Sequence, residues 1–382
     1  MHRVVRILFL ADTHLGFDLP RRPRIDRRRR GHDFFANYER ALQAARDLAV
    51  DAVVHGGDVF YRSRIPASLV HQGMLPLKRL ADTGIPVYVV PGNHERSAVP
   101  FPLLAQHPHI HLFDRPRTYT AEWNGVRVAL AGLPFHRDGV RTAFPALLDQ
   151  TGWEPGQADV NLLCFHQCFE GATVGPQNYT FRTAADVVRA SDLPAAFAAV
   201  LAGHIHRHQV LTTDLRGRPL PAPVIYPGSI ERTAWAERGE EKGYVVLEVT
   251  PGGPGGVLRH WTFHPLPARP MVIEEIRADG ADGPAVRRLL GDVIGRAAPD
   301  AVLQIRVHGE PRPDGLEALR AASVRALAPA TMNVEVAPAS KGALQASSQR
   351  AHHVQRHLWT SRPRGAARRG PRERRPAPGS TA

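Results

Sequence analysis

The sequence predicts an α/β fold, a four-layer αββα sandwich of two mixed sheets joined to a smaller α/β domain. Three observations predict it. Short apolar runs recur and end in polar or glycine-containing loops, as strands do in a sheet covered on both faces. Helix-period segments alternate with the first of these runs, which requires parallel strands. Later stretches instead show strands joined by tight turns, the natural content of a second, largely antiparallel sheet.

Taken in order, VVRILFLADTH from Val4 is the first strand, and FFANYERALQAARDLA, Phe34 to Ala49, is the first helix. DAVVHGGD from Asp51 is a strand, ASLVHQGMLPLKRLADTG, Ala67 to Gly84, a helix stopped at Gly84, and PVYVVPGNH from Pro86 a third strand. TYTAEWNGVRVALAG, Thr118 to Gly132, carries Asn124-Gly125, a strong hairpin signal. NLLCFH from Asn161 and AAVLAGHIH from Ala198 are further buried strands, and turn-linked strands fill Val224 to His264. After PLPARP, Pro265 to Pro270, the pattern restarts: strand MVIEEIRA, helix Pro284 to Ala297, strand AVLQIRV, helix Gly315 to Ala328, strand MNVEVA. The domains are therefore expected at 1–265 and 266–338, with a basic, disordered tail at 339–382 where apolar periodicity vanishes.

Charge and cysteine content narrow the classes of function. The net charge of +13 is concentrated in two places. RRPRIDRRRR, Arg21 to Arg30, holds seven Arg and one Asp, and the tail from Ala339 holds ten Lys or Arg against Glu373. The remainder is close to neutral, so the basic segments suit contact with a polyanion. Cys164 and Cys168 are the two cysteines, too few for a disulfide framework, and a reducing compartment is the simpler expectation. No apolar run approaches the roughly eighteen residues of a membrane span, so a cytoplasmic, nucleoid-associated protein without membrane contact is expected. No G-x4-G-K-[ST] is present, so nothing points to a phosphate loop for nucleotides.

The loops behind the apolar runs carry the chemistry. They contain Asp12-Thr13-His14, Gly57-Asp58, Gly92-Asn93-His94-Glu95, His166 and Gly203-His204-Ile205-His206. Asp12 and His14, like His204 and His206, are spaced i, i+2, which on an extended backbone sends both side chains to one side. Carboxylate, imidazole and amide oxygen together are the donor set of borderline divalent metals such as manganese, iron or zinc. Seven such residues are too many for one ion and suit two, if one carboxylate bridges.

These motifs resemble the calcineurin-like metallophosphoesterase superfamily over roughly residues 4 to 250. The resemblance implies that Asp12, His14, Asp58 and His206 hold one ion and Asp58, Asn93, His166 and His204 the other, with Asp58 as the bridge. It implies that His94 serves the phosphate, donating a proton to the leaving oxygen or stabilising the transition state. HLGF from His14, DFFANYERAL from Asp33 and YPGSIERTAWAERGEEKGY, Tyr226 to Tyr244, are in turn similar to the SbcD-type nucleases of double-strand-break repair. That similarity implies a Mn-dependent 3′ to 5′ exonuclease and endonuclease, with Fe or Zn as other candidate metals, whose small α/β unit is a capping domain that positions DNA. It also implies an SMC-like ABC ATPase partner and a homodimer, although Ser340 to Gly370 shows no sustained helical stripe for docking such a partner.

Arg21, Arg22, Arg27, Arg28, Arg29 and Arg30 are expected to neutralise DNA phosphates, and Ser229 and Arg232 to touch DNA or orient ligands. Tyr61 stands where some relatives carry a phosphate-contacting His, and Glu95 where Asp is common, read as a mild change. His208 is expected beside the ligands, His107, His109 and His111 on an exposed edge strand, and His55 as a hydrogen-bonded core residue. Two other functions compete: a metallophosphodiesterase or phosphatase acting on nucleotides or phosphoproteins, and a DNA-binding scaffold without turnover.

Overall fold

The structure is a computed structural model that describes residues 3–19, 27–95 and 106–338. The calls on Arg21, Arg22 and the tail therefore lie outside the described residues. In chain order, β1 (Val5–Leu10) precedes α1 (Arg30–Asp47), β2 (Ala52–His55), α2 (Ala67–Ala81), β3 (Val87–Val89) and β4 (Ile110–Leu112). The hairpin β5 (Arg117–Trp123) and β6 (Val126–Leu133) leads to α3 (Val140–Asp149) and β7 (Val160–His166). Four short strands follow, β8 (Cys168–Phe169), β9 (Thr173–Val174), β10 (Tyr179–Thr180) and β11 (Val187–Val188), then β12 (Ala199–Gly203), β13 (Gln209–Thr213) and β14 (Pro219–Tyr226). β15 (Gly243–Thr250) and β16 (Val257–Pro265) precede β17 (Met271–Arg277), α4 (Gly283–Arg296), β18 (Val302–His308), α5 (Pro313–Ala318), α6 (Ala321–Leu327) and β19 (Asn333–Pro338).

Two six-stranded sheets face each other. The first runs β16-β15-β1-β2-β3-β4, with β1 to β4 parallel and β15 and β16 antiparallel. The second runs β13-β14-β12-β7-β6-β5, and its central pairings, β14-β12, β12-β7 and β7-β6, are parallel. The expectation of a largely antiparallel second sheet is thus corrected: hairpins supply only its two edges, β13 and β5. Adjacent turns reveal a hairpin, whereas parallel pairing depends on crossovers that no local pattern records.

Period-two alternation divides β1 between two cores. Val5, Ile7 and Phe9 point between the sheets, while Leu8 and Leu10 pack under α1 and α2. α1 answers with Phe34, Phe35, Tyr38, Ala41, Leu42 and Ala45, one face at helical spacing. Both faces of the strand are dry, and each fully buried Leu, Ile or Phe contributes about 1.5–3 kcal/mol. The Asn124-Gly125 turn has φ of 54° and 70°, the left-handed pair that a tight hairpin requires. Of the three alternating imidazoles before β5, His111 lies on the edge strand β4 and stacks on Tyr88, His107 bonds Asp82, and His109 is exposed.

A third sheet, β17-β18-β19, is parallel and covered by α4, α5 and α6 around its own core, with Val286, Leu290, Leu303 and Ile305 at the centre. The single helix expected from Gly315 to Ala328 is instead two, because Arg320 is extended (φ −61°, ψ 142°). The break lets both Ala318 and Val324 reach the core.

The basic segment serves this junction. Arg27 donates to the carbonyls of Arg325, Ala328 and Pro329, Arg28 pairs with Asp33 at 2.6 Å, Arg29 binds Asp18, and Arg30 donates to the carbonyl of Arg232. Each of these four residues, expected at DNA phosphates, thus has a protein partner, and the side chains of Arg28 and Arg29 remain 41% and 38% exposed. Ser229 and Arg232 are buried, with Ser229 bonded to the Glu231 carbonyl and Arg232 to Glu231 and the carbonyls of Arg238 and Arg269.

Arg269 clasps the third sheet to α1. Its buried guanidinium donates twice to Asp33 (2.9 and 2.6 Å) and also to Asp300 O, Thr331 O and Asn333 Oδ1. Asp33→Ala leaves that charge buried without its counter-ion and is expected to cost about 3–5 kcal/mol, read as a lower urea midpoint.

Candidate metal centre

The loops that follow β1, β2, β3, β7 and β12 emerge at the carboxyl ends of parallel strands, where crevices of open α/β sheets form. β1, β2 and β3 deliver Asp12, His14, Asp58, Asn93 and His94 from one sheet; β7 and β12 deliver His166, His204 and His206 from the other. Backbone shape does the aiming. Asp12, His14, Asp58 and His204 have φ of 52°, 43°, 51° and 87°, a left-handed conformation that costs non-glycine residues free energy and is held by its surroundings.

That finding corrects the simple pleat argument. β1 stops at Leu10 and β12 at Gly203, so neither i, i+2 pair lies on an extended strand. His206 joins Asp12 and His14, whereas His204 joins Asp58 and His166. A straight strand would have sent both imidazoles to one point.

The donor atoms crowd together. His14 Nε2 and His206 Nε2 are 2.9 Å apart, and Asp12 Oδ1 is 4.0 Å from His14 Nε2. On the other side His204 Nδ1 lies 3.2 Å from His166 Nε2 and 3.0 Å from Asn93 Oδ1, which is itself 3.2 Å from His166 Nε2. Asp58 Oδ2 is 3.5 Å from His166 Nε2 and 3.5 Å from His94 Nε2. The partly exposed ring of His94 closes the group, and its backbone N–H donates to Asp58 Oδ1 at 3.0 Å.

Neighbouring groups decide which ring nitrogens face inward. His166 Nδ1 is 2.7 Å from the Gly56 carbonyl, so that nitrogen carries a proton and Nε2 is the one turned toward the cluster, available to a metal in the neutral ring. His206 Nδ1 faces Glu237 Oε1 at 3.1 Å, with the same result. His166 Nε2, Asn93 Oδ1 and His204 Nδ1 then meet within 3.2 Å, nitrogen and oxygen atoms of the types that ligate a shared cation. The donor set thus fits a pair of divalent metal ions.

Two motif glycines follow from the same crowding. Gly57 has φ of 103°, and a Cβ there would overlap the His166 ring; a Cβ at Gly203 would overlap the Gly56 carbonyl.

Electrostatics separates the rings by role. Burial, reinforced by repulsion from His166, takes His204 down to about 3, and burial with the nearby His206 takes His14 well below the usual imidazole range. Both are held neutral, the ligating form. Burial opposes charge on His166 too, but the Asp58 and Asp12 carboxylates prevail and raise it to about 9. Burial raises Asp12 to about 6 against His166 and His206. At Asp58 burial is outweighed by His94, His166 and His14, which hold the carboxyl well below its ordinary range.

The structure brings Asp12, His14, Asp58, Asn93, His94, His166, His204 and His206 into one cluster. His55 is buried beneath it, bonded to Thr13 Oγ1 and Gly57 N, and His208 bonds the Tyr226 carbonyl and stacks on Phe263, away from the donors. Tyr61 packs edge-on to Phe17 and under Arg62. Two groups went unrecognised in the sequence. Glu95 accepts from the backbone N–H groups of Asp58, Phe60 and Gly92, and Glu237 orients His206. The signal for Glu237 lay in the acidic run after Tyr226, without any spacing to tie it to His206.

Residues 5–208 match the model of the calcineurin-like phosphoesterase family. A DNA double-strand break repair protein Mre11 from Methanopyrus kandleri is 27% identical over 250 residues, 63% of this chain and 51% of that protein. Those from Haloferax volcanii and Methanosarcina mazei are each 30% identical, over 80% and 74% of this chain and 62% and 42% of their own lengths. The chain spans about half the length of the curated relatives it matches.

Proposed function

Since the chain belongs to the calcineurin-like metallophosphoesterase family, we propose that it is a two-metal phosphodiesterase acting on DNA as an SbcD-type nuclease. The observation that carries the metal reading is the convergence of imidazole nitrogens, an amide oxygen and carboxylate oxygens around Asp58. Asp12, His14, Asp58 and His206 would hold one cation, and Asp58, Asn93, His166 and His204 the other, with Mn as the preferred metal and Fe or Zn as substitutes. When bound, such ions neutralise a phosphodiester and acidify a water for in-line attack.

The chain's own residues do the rest. His94, partly exposed beside Asp58, would protonate the leaving oxygen or stabilise the transition state. The Gly56 carbonyl and Glu237 keep two imidazoles in the ligating tautomer. DNA as the substrate draws its support from the break-repair relatives. In this reading residues 1–265 form the nuclease domain and 266–338 a cap beside it that positions DNA. 3′ to 5′ digestion, an SMC-like ATPase partner, a homodimer and a nucleoid location in the cytoplasm complete the proposal. Among the described residues no helix is long and apolar enough to cross a membrane.

The test incubates the purified chain with Mn and end-labelled duplex DNA, alongside bis-p-nitrophenyl phosphate and the His94→Ala variant. Metal-dependent shortening of the DNA is expected, with His94→Ala slower by about 10²–10⁴-fold while still binding Mn. Hydrolysis of the small diester alone would favour a phosphatase. DNA binding without cleavage would favour a scaffold.

A further inference from the structure

We propose that Lys242 and Glu237 are positioning residues for His206 and set how tightly the cation site on its side of Asp58 is held; the inference rests on the two-metal reading above. His206 is gripped at two points. Lys242 Nζ donates to the His206 carbonyl at 2.8 Å and pairs with Glu237 Oε2 and Glu240 Oε2, each at 2.9 Å. Glu237 meets the ring of the same histidine, its Oε1 lying 3.1 Å from His206 Nδ1 and accepting from Thr233 Oγ1 at 2.8 Å.

Two of the three contacts of the ammonium lead to His206, one directly and one through Glu237. Lys242 is 2% exposed, and its three N–H donors match three acceptors, one of which belongs to His206 itself. An ammonium taken out of water at this cost is retained where it organises what surrounds it. Here it fixes the position of the Glu237 carboxylate, and that carboxylate turns His206 Nδ1 toward itself. Nε2 is then left facing His14 Nε2. His204, His166 and Asn93 on the far side of Asp58 have no contact with this group, so its effect should be confined to one of the two sites.

The segment that carries Glu237 also reaches the third sheet, where Trp235 Nε1 donates to Glu335 at 2.5 Å. A loop anchored at both ends transmits little slack to the ring it holds.

The experiment titrates Mn(II) into the metal-free full chain by isothermal calorimetry, for the wild type, Glu237→Gln, Lys242→Met and Lys242→Arg, with thermal unfolding of each metal-free protein in parallel. The wild type is expected to take two Mn(II). Glu237→Gln and Lys242→Met should weaken one of the two by about 10–100-fold and leave the other unchanged, and Lys242→Arg should recover part of the loss. Equal affinities at both sites in every variant would overturn the proposal, as would equal weakening of both. Should Lys242→Met not fold, the near-isosteric Glu237→Gln alone decides. A wild type that retains no Mn(II) would instead overturn the two-metal reading itself.

Discussion

Asp58→Ala is expected to produce the largest functional loss of any single substitution in this chain. Its carboxylate lies between the two histidine groups, with Oδ2 3.5 Å from both His166 Nε2 and His94 Nε2, and Oδ1 accepting the backbone N–H of His94. In the two-metal reading its removal takes a ligand from each ion at once and frees the His94 loop. A loss of about 4 kcal/mol in transition-state stabilisation, roughly a thousandfold in rate, is the minimum anticipated. Mn(II) stoichiometry should fall below two at the same time. An active Asp58→Ala enzyme with two bound ions would contradict the assignment.

Glu95→Ala should produce the largest structural loss near the site. The Glu95 carboxylate is 5% exposed and accepts from Asp58 N at 3.0 Å, Phe60 N at 3.0 Å and Gly92 N at 2.8 Å. It ties the loop after β2 to the loop after β3, which carries Asn93 and His94. Alanine would orphan three buried donors, each costing about 1–3 kcal/mol, so a fall of roughly 3–9 kcal/mol in stability is expected by urea unfolding. Hydrogen exchange at the Asp58 and Phe60 amides should accelerate with it. Protection unchanged at both amides would mean that other acceptors take over.

The Glu95 case shows where reading residues in line reaches its limit. As the residue after G-N-H it looked like a mild exchange for Asp, because nothing in its flanks shows that the distant amides of Asp58 and Phe60 converge on it together with that of Gly92. Arg27 and Arg30 show the same limit. In the sequence they belong to a run of guanidinium groups, yet the carbonyls that accept from them come from Arg232, Arg325, Ala328 and Pro329, 202 to 302 residues away.

What the sequence determined by itself was local in origin: the apolar runs, the Asn124-Gly125 hairpin, the helical face of α1, and the loops that bear the ligating residue types behind the strands. Strand period, turn geometry and side-chain chemistry act within a few residues, so they can be read from one stretch. The tertiary structure alone decided that the second sheet has a parallel centre, that the backbone turns left-handed at His204, and that Glu95, Glu237 and Lys242 brace the site. These depend on pairings across dozens to hundreds of residues, where the free energy lies in contacts between segments and leaves no periodic mark in either one.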